Sequence, residues 1–236
     1  MTKGLNKISI IIPVLNEAEN IDRLLRHLTE NSSSENISEI IVVDGGSSDR
    51  TVETIKNFTL RDIIHISSKK GRAKQMNVGA KASTENILYF LHADTFPPKD
   101  YDEFILDKVQ KGHEAGCFRM QFDSNHWWLK LTGWLTKFNL KVCRGGDQSL
   151  FITKALFNTI GGYNENYTIY EDNILIGELY KRNQFTVINQ KITTSARLYK
   201  KVGVWKLQYH FLAIYLKKWL GASADEMLAY YKKNIT

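Results

Sequence analysis

Four short apolar runs recur in the first ninety-odd residues, and a stretch with helical spacing follows each of the first three. The pairs are Ile8–Leu15 with Ala18–Thr29, Glu39–Asp44 with Asp49–Lys56, and Ile63–Ser67 with Arg72–Ala82; Ile87–Leu91 is the fourth run. This alternation constrains the chain more than any other feature, because strands joined by crossover helices lie parallel in a sheet covered on its faces. Near-continuous apolar strands such as ISIIIPVL and EIIVVD agree, since a strand buried on both sides has no polar face to show. The expected fold is α/β: a Rossmann-like, mostly parallel central sheet flanked by helices, with a helical C-terminal segment. A helix around 100–111 and a strand at Ala115–Phe122 continue the pattern, and no linker or repeat divides the chain, so one domain is expected.

In an open sheet of this kind ligands bind where the loops after the carboxyl ends of the strands converge. Three acids stand at that edge in consecutive units. Glu17 follows Pro13-Val14-Leu15-Asn16, Asp44 ends EIIVVD, and Asp94 lies in ILYFLHADTFPPKD. Each alone reads equally well as a turn former: GGSSD after Asp44 makes a tight turn that caps a helix through Ser48 or Asp49, and Asp94 precedes the loop of Pro97-Pro98. Together they are hard oxygen donors, of which Mg²⁺ or Mn²⁺ takes one or two alongside phosphate oxygens. A second pair, Glu171-Asp172 in GGYNENYTIYEDN, opens a helix patterned Ile174, Leu175, Leu179. There the helix dipole favours ionised carboxylates, and one of them can serve as general base. Cations to match a leaving diphosphate are Arg72, which opens the helix in KKGRAKQMNVGA, and Arg197, after ITTSA. Neither GxGxxG nor a P-loop is present.

The net charge of +7 is unevenly placed: residues 1–125 carry 16 Lys and Arg against 18 Asp and Glu, residues 126–236 carry 16 against 7. Such asymmetry matches an anionic membrane face or a phosphate-bearing substrate; without a helix-turn-helix, zinc-finger spacing or RNA-binding aromatic motif, no nucleic-acid partner is expected. Cys117 and Cys143 have no metal-like spacing and read as reduced, and no run approaches the roughly 18 apolar residues of a membrane span. The expected setting is cytoplasmic, with the basic C-terminal half available for peripheral contact at the inner membrane face. In VGVWKLQYHFLAIYLKKWL, the residues Trp205, Tyr209, Leu212, Leu216 and Leu220 share a helical face that ends beside Lys217 and Lys218. That face reads first as one packed on its own domain and second as one lying on a membrane. WWLKLTGWL reads first as a buried helix and second as tryptophans that stack on a sugar or lipid. One more short helix is expected after Ser223.

Taken in order, these stretches resemble glycosyltransferase family 2, the inverting enzymes with the GT-A fold, over most of the chain. ISIIIPVLNE is similar to the family's opening strand and donor-site motif, IIVVDGGSSDRT to its nucleotide-binding segment, and FLHADT to its DxD motif. GGDQSLF and IGGYNE are similar to the acceptor segment, and YEDN to the ED pair whose Asp is the usual base. More narrowly, GRAKQMNVGA, FLHADT, GDQSLF and TSARLYKKVG resemble a subgroup associated with radical SAM and selenoprotein-type domains.

The resemblance implies a GT-A-like domain over 1–236, in which 1–95 hold the nucleotide-sugar, 96–200 form the acceptor and catalytic part, and 201–236 are C-terminal helices. It implies transfer of one sugar from a nucleotide-sugar donor, a UDP-sugar first, to a hydroxyl acceptor that can be lipid-linked. By that resemblance Asp172 is the base. Pro13, Glu17, Asp44, Arg72, Asp94 and Arg197 face the donor, Gly146, Asp147 and Glu171 lie on the acceptor side, and Asp94 holds Mn²⁺ or Mg²⁺. Two departures stand out. The DxD position reads His92-Ala93-Asp94, so His92 replaces the first acid as a ribose contact, a metal ligand or a packing residue. The QxxRW motif of processive enzymes is absent, which implies a single transfer. Two other classes fit part of the pattern: a non-catalytic nucleotide-sugar-binding protein, and a nucleotidyltransferase, which would want a basic glycine-rich loop where this chain has PVLNEAEN.

Overall fold

The computed structural model describes residues 6–235, so the first five residues and the last, which the expected 1–236 domain includes, lie outside the described part. The strands are β1 (Ile8–Val14), β2 (Ile37–Asp44), β3 (Ile63–Ser67), β4 (Ile87–Phe90), β5 (Thr95–Phe96), β6 (Ala115–Phe122), β7 (Leu150–Thr153) and β8 (Thr186–Thr194). Among the helices, α1 (Ala18–Glu30), α2 (Thr51–Lys56), α3 (Arg72–Ala82), α4 (Tyr101–Gln110) and α5 (Trp127–Leu135) come first. Then follow α6 (Lys154–Ile160), α7 (Glu171–Lys181), α8 (Arg197–Val202), α9 (Val204–Trp219) and α10 (Ala224–Asn234).

One sheet carries all eight strands in the order β3-β2-β1-β4-β7-β6-β8-β5. Its first half is parallel, as the alternation predicts. β1 is buried at every position, and successive side chains go to opposite faces. Ile8, Ile10 and Ile12 pack with Leu24 and Leu25 of α1, while Ile11 packs with Ala73, Met76 and Ala80 of α3. Each such aliphatic side chain removed from water contributes about 1.5–3 kcal/mol. Gly79 lets α3 approach closely, since a Cβ there would stand 2.5 Å from Ile11 Cγ2.

Beyond β4 the sheet becomes mixed. β7 runs against β4, β6 runs against β7, β8 runs with β6, and β5 runs against β8, so four of the seven pairings are parallel. This reversal has a positional consequence. The segment before β7 reaches the same edge as the segments after β1, β2 and β4, and so do the residues after β6 and β8.

Two helices pack differently from the first expectation. In α5 the inward residues are Leu129 and Gly133, and Gly133 lies so close to β6 that a Cβ would stand 2.9 Å from Met120 O. That contact rotates Trp127, 61% exposed, and Trp134, 46% exposed, toward solvent, which corrects the buried-helix reading of WWLKLTGWL. In α9 the inward residues are Leu207, His210 and Ile214, with Met227 of α10 completing the cluster. Trp205, Tyr209, Leu212, Leu216 and Leu220 do form a stripe, but all are exposed, so this is the outward face rather than the packed one. The helix expected after Ser223 is α10, whose start is fixed by a capping box of Ser223 and Glu226. Among the described residues no helix is long and apolar enough to cross a membrane.

Candidate active site

β1 and β2 end side by side, Val14 opposite Asp44, so the turns after them meet. Gln75 of α3 joins the two tips: its buried side-chain amide donates to Val14 O and to Val43 O, each at 2.8 Å. Asn16, at φ 55°, is left-handed; its N–H donates to Ser47 Oγ and its Oδ1 accepts from the Ser48 N–H, each at 2.9 Å. Asp49 accepts from the Thr51 N–H at 3.0 Å and from the Ala18 N–H at 3.2 Å, so one carboxylate serves the starts of both helices. Asp44 is buried, and the N–H groups of Gly46 and Ser47 and the Ser47 hydroxyl all donate to its carboxylate. In this structure Asp44 therefore shapes the turn. Pro13, expected on the donor side, is buried within β1 opposite Val43 and shapes the strand end instead.

Asp94 is brought to this corner by β5, whose Thr95 pairs with Thr194 of β8. The Ser195 N–H donates to Asp94 O at 3.2 Å, which places Arg197 next to Glu17 and Asp94. Arg197 donates in a fork to Glu17, at 2.6 and 3.0 Å, and its Nε lies 3.3 Å from Asp94 Oδ2. Glu17, Asp94 and Arg197 are thus one ion-paired group.

The other acids gather at the start of α7. Arg72 Nε lies 2.6 Å from Glu171 Oε1, yet Glu171 is fully buried and neither of its oxygens has a well-angled hydrogen bond. Burial, which Arg72 opposes and the Asp172 charge reinforces, pushes the Glu171 carboxyl up to about 7. Burial thus works against the helix dipole at Glu171, and its side chain, expected on the acceptor side, is turned inward onto Arg72. Asp172 is the member that opens to the cleft, with its side chain 13% exposed and Oδ2 3.8 Å from His92 Nε2. Gly146 is packed against it, since a Cβ there would stand 2.0 Å from Asp172 Oδ2. Asp147 is open to solvent in the cleft but walled in by protein; burial raises its carboxyl, His92 and Arg72 oppose this, and Asp94 and Asp172 add to it.

Since the folded protein holds the Glu171 proton more tightly than the unfolded chain, stability falls as pH rises from 4.5 to about 7. The Glu171→Gln variant has no such proton. Urea midpoints measured across that window should shift in the variant's favour with rising pH; parallel curves for the two proteins would refute the assignment.

Residues that sequence reasoning passed over hold these loops in place. Arg144, buried, donates to Gln148 Oε1 and to Thr136 O, each at 2.6 Å, and also to Phe138 O, which fixes the loop that carries Gly146 and Asp147. Asn77 of α3 donates to Tyr163 O and accepts from the Tyr163 N–H, both at 2.9 Å, which docks the IGGYNE segment. Among the described residues, two of the five non-glycine residues with positive φ directly precede site acids, Asn16 before Glu17 and Tyr170 before Glu171, and a third, Ser149, lies two residues after Asp147. Backbone strain of this sort clusters at functional sites.

Asp147, Asp172 and Arg72 line a cleft of about 420 Å³ between α5 and α9, with Leu135, Val142, Gln208, Phe211 and Tyr215 toward its rim. A larger hollow, about 560 Å³, lies between β6 and α5 away from these acids; the carboxylate among its lining residues, Asp123, accepts the Ala196 N–H. Among the described residues no three His, Cys, Asp or Glu side chains converge to hold a metal alone. The Asp94 charge helps to raise the Asp147 carboxyl, and two such hard oxygen donors within electrostatic reach suit a divalent cation whose other ligands are phosphate oxygens.

The profile of Glycosyl transferase family 2 matches residues 9–163. Glycosyltransferase AglE of Haloferax volcanii is 36% identical over 107 residues, covering 44% of this chain and 35% of that protein. The PGL/p-HBAD biosynthesis glycosyltransferase of Mycobacterium bovis is 30% identical over 176 residues, covering 70% of this chain and 66% of that protein. The crystal structure of S. aureus TarS 1-349 in complex with UDP superposes with a TM-score of 0.68 at 17% identity, covering 80% of this chain and 60% of that one. The chain thus spans between 35% and 66% of the length of these proteins.

Proposed function

The chain belongs to glycosyl transferase family 2, and on that premise we propose that it moves one sugar from a nucleotide-sugar donor to a hydroxyl acceptor, with inversion at the anomeric carbon. The observation that carries this reading is the division within the acid pair: Glu171 is fully buried on Arg72, while Asp172 opens to the cleft beside His92 and Gly146. Asp172 takes the acceptor hydroxyl proton. The acceptor oxygen forms its bond to the anomeric carbon as the bond to the diphosphate breaks, and that electron pair leaves with the nucleoside diphosphate. Arg197 turns from Glu17 and Asp94 to the leaving diphosphate, where a bidentate guanidinium stabilises developing charge. Asp94, with Asp147 as a second acid, would hold Mn²⁺ or Mg²⁺, which when bound neutralises the diphosphate. His92, two residues before Asp94, has its Nε2 3.8 Å from Asp172 Oδ2 and so stands beside the base.

S. aureus TarS, which shares the fold, has been crystallised with UDP and with UDP-GlcNAc, so UDP-sugars come first among donors. A relative from Proteus mirabilis, 23% identical over 199 residues and covered over 57% of its length, carries undecaprenyl-phosphate in its name, which supports an acceptor with a lipid tail and peripheral contact with a membrane. The narrower placement beside radical SAM and selenoprotein-type domains belongs to this proposal too and rests on GRAKQMNVGA and TSARLYKKVG. The test is incubation with UDP-, GDP- and dTDP-sugars and Mn²⁺ or Mg²⁺, scored for nucleoside diphosphate release. Release from one donor class is expected. Nucleotide binding without release from any donor would leave a binding protein in place of an enzyme.

A further inference from the structure

Exposed apolar side chains on this protein are concentrated rather than scattered. Of the sixteen large hydrophobic residues that the described surface exposes, fourteen lie in 127–142 or 205–220, the segments of α5 with its following turn and of α9. The two segments are neighbours: the Trp205 ring lies 5.8 Å from that of Trp127 and 5.2 Å from that of Trp128, and Trp128 Nε1 donates to Gln208 Oε1 at 3.3 Å. Scattered surface leucines need no explanation, whereas a contiguous patch marks an interaction surface.

The charge of the same segments says what kind of partner fits. Residues 126–145 and 196–222 hold ten Lys and Arg and not one Asp or Glu; with buried Arg144 and ion-paired Arg197 set aside, eight lysines remain. A second copy of the chain, joined through this face by a two-fold axis, would bring these like charges together without an acid to meet them. Nucleic acid would match the charge and the tryptophans but leave Leu131, Leu212, Leu216 and Leu220 without a partner. An anionic bilayer satisfies all three components. Tryptophans sit at the headgroup boundary, leucines enter the acyl region, and Lys side chains reach lipid phosphates while their stems cover apolar surface. Lys137, whose Nζ lies 3.8 Å from the centre of the Trp134 ring, has this arrangement already.

We infer that α5 and α9 form a platform that docks on an anionic lipid bilayer, with the cleft between them opening at the membrane surface. The cleft is lined by Leu135 and Val142 on one side and by Phe211 and Tyr215 on the other, with Asp172 among its polar residues. Docked in this way, it receives an amphiphilic acceptor whose hydroxyl headgroup reaches Asp172 while its tail stays in the lipid. The acceptor clause rests on the transferase reading above; the docking itself does not.

The test is flotation of the full chain with vesicles of phosphatidylcholine alone and of phosphatidylcholine mixed equally with phosphatidylglycerol. Binding to the anionic vesicles and weakening by salt are expected, since basic residues near such a surface are attracted to it and salt screens that attraction. A variant carrying Leu216→Ser and Trp219→Ser should bind at least about tenfold more weakly, because both side chains project outward and Trp219 is 82% exposed. Its circular dichroism and its donor hydrolysis should match the parent, as neither residue belongs to the cleft acids. Equal binding to neutral and anionic vesicles, no binding to either, or a salt-stable dimer dispersed by the same variant would overturn the docking. Vesicle binding without nucleoside diphosphate release from any donor would retain it and remove the transferase reading instead.

Discussion

Replacing Asp172 with Asn leaves nucleotide binding intact and lowers sugar transfer by at least about a hundredfold, the lower scale for loss of an acid or base. The amide has the size of the carboxylate but cannot take the acceptor proton, and the neighbours that hold it do not depend on its charge for their own folding. Arg72 retains Glu171 at 2.6 Å. The Gly146 backbone meets a side chain of the same shape. The assay is steady-state release of nucleoside diphosphate with acceptor present, paired with calorimetric titration of the nucleotide. Near-normal turnover would remove Asp172 from the base role. Glu171→Gln is the informative companion in the same assay, because its side chain has no access to substrate and its effect should appear in the pH dependence of stability instead.

Gly146→Ala should cost between about ten- and a hundredfold in kcat, with the nucleotide Kd little changed. Its backbone is not left-handed, so alanine brings no conformational strain there. What alanine brings is a methyl group 2.0 Å from the present position of Asp172 Oδ2 and 2.7 Å from Cγ. One of the two must move, and the carboxylate is the mobile partner. It rotates toward the cleft and loses its alignment with the acceptor; misplacement of a reacting group by about 1 Å is enough for a hundredfold loss. The melting temperature should stay within a few degrees of the parent. An unchanged kcat would show that the reaction does not need the carboxylate where Gly146 confines it.

The common edge of Glu17, Asp44 and Asp94 was legible because such residues sit at ends of elements. Glu17, Asp44 and Asp94 each follow an apolar run, and a parallel sheet must bring such ends to one edge. Gln75 and Asn77 were not legible, since a polar residue in mid-helix looks the same whether it faces water or splints two strands. The reversal of β7 was equally hidden: four residues, Leu150–Thr153, carry no signal of direction, and their orientation is set by pairing with β4. Periodicity found the stripe of α9 but could not tell which side it faces. Leu207, His210 and Ile214 win the inward position because α10 supplies Met227, and Tyr230 supplies a hydroxyl 2.9 Å from His210 Nδ1. Burial also outweighed the helix dipole at Glu171, an effect that depends on neighbours a sequence does not reveal.

The closure of the sheet by β8 has a consequence for how the molecule comes into being. This strand alone pairs with both β6 and β5, and Arg197 just beyond it grips Glu17 across 180 residues of sequence. Loop closure over so long a span is slow compared with the local hairpins and crossovers that precede it. On the ribosome the parallel half can assemble early, while the corner of Glu17, Asp94 and Arg197 waits for a residue 180 positions after Glu17. A chain interrupted before Thr186 would keep β1 to β4 and lack the ion-paired corner of Glu17, Asp94 and Arg197, so topology sets the order in which the two halves of the site form.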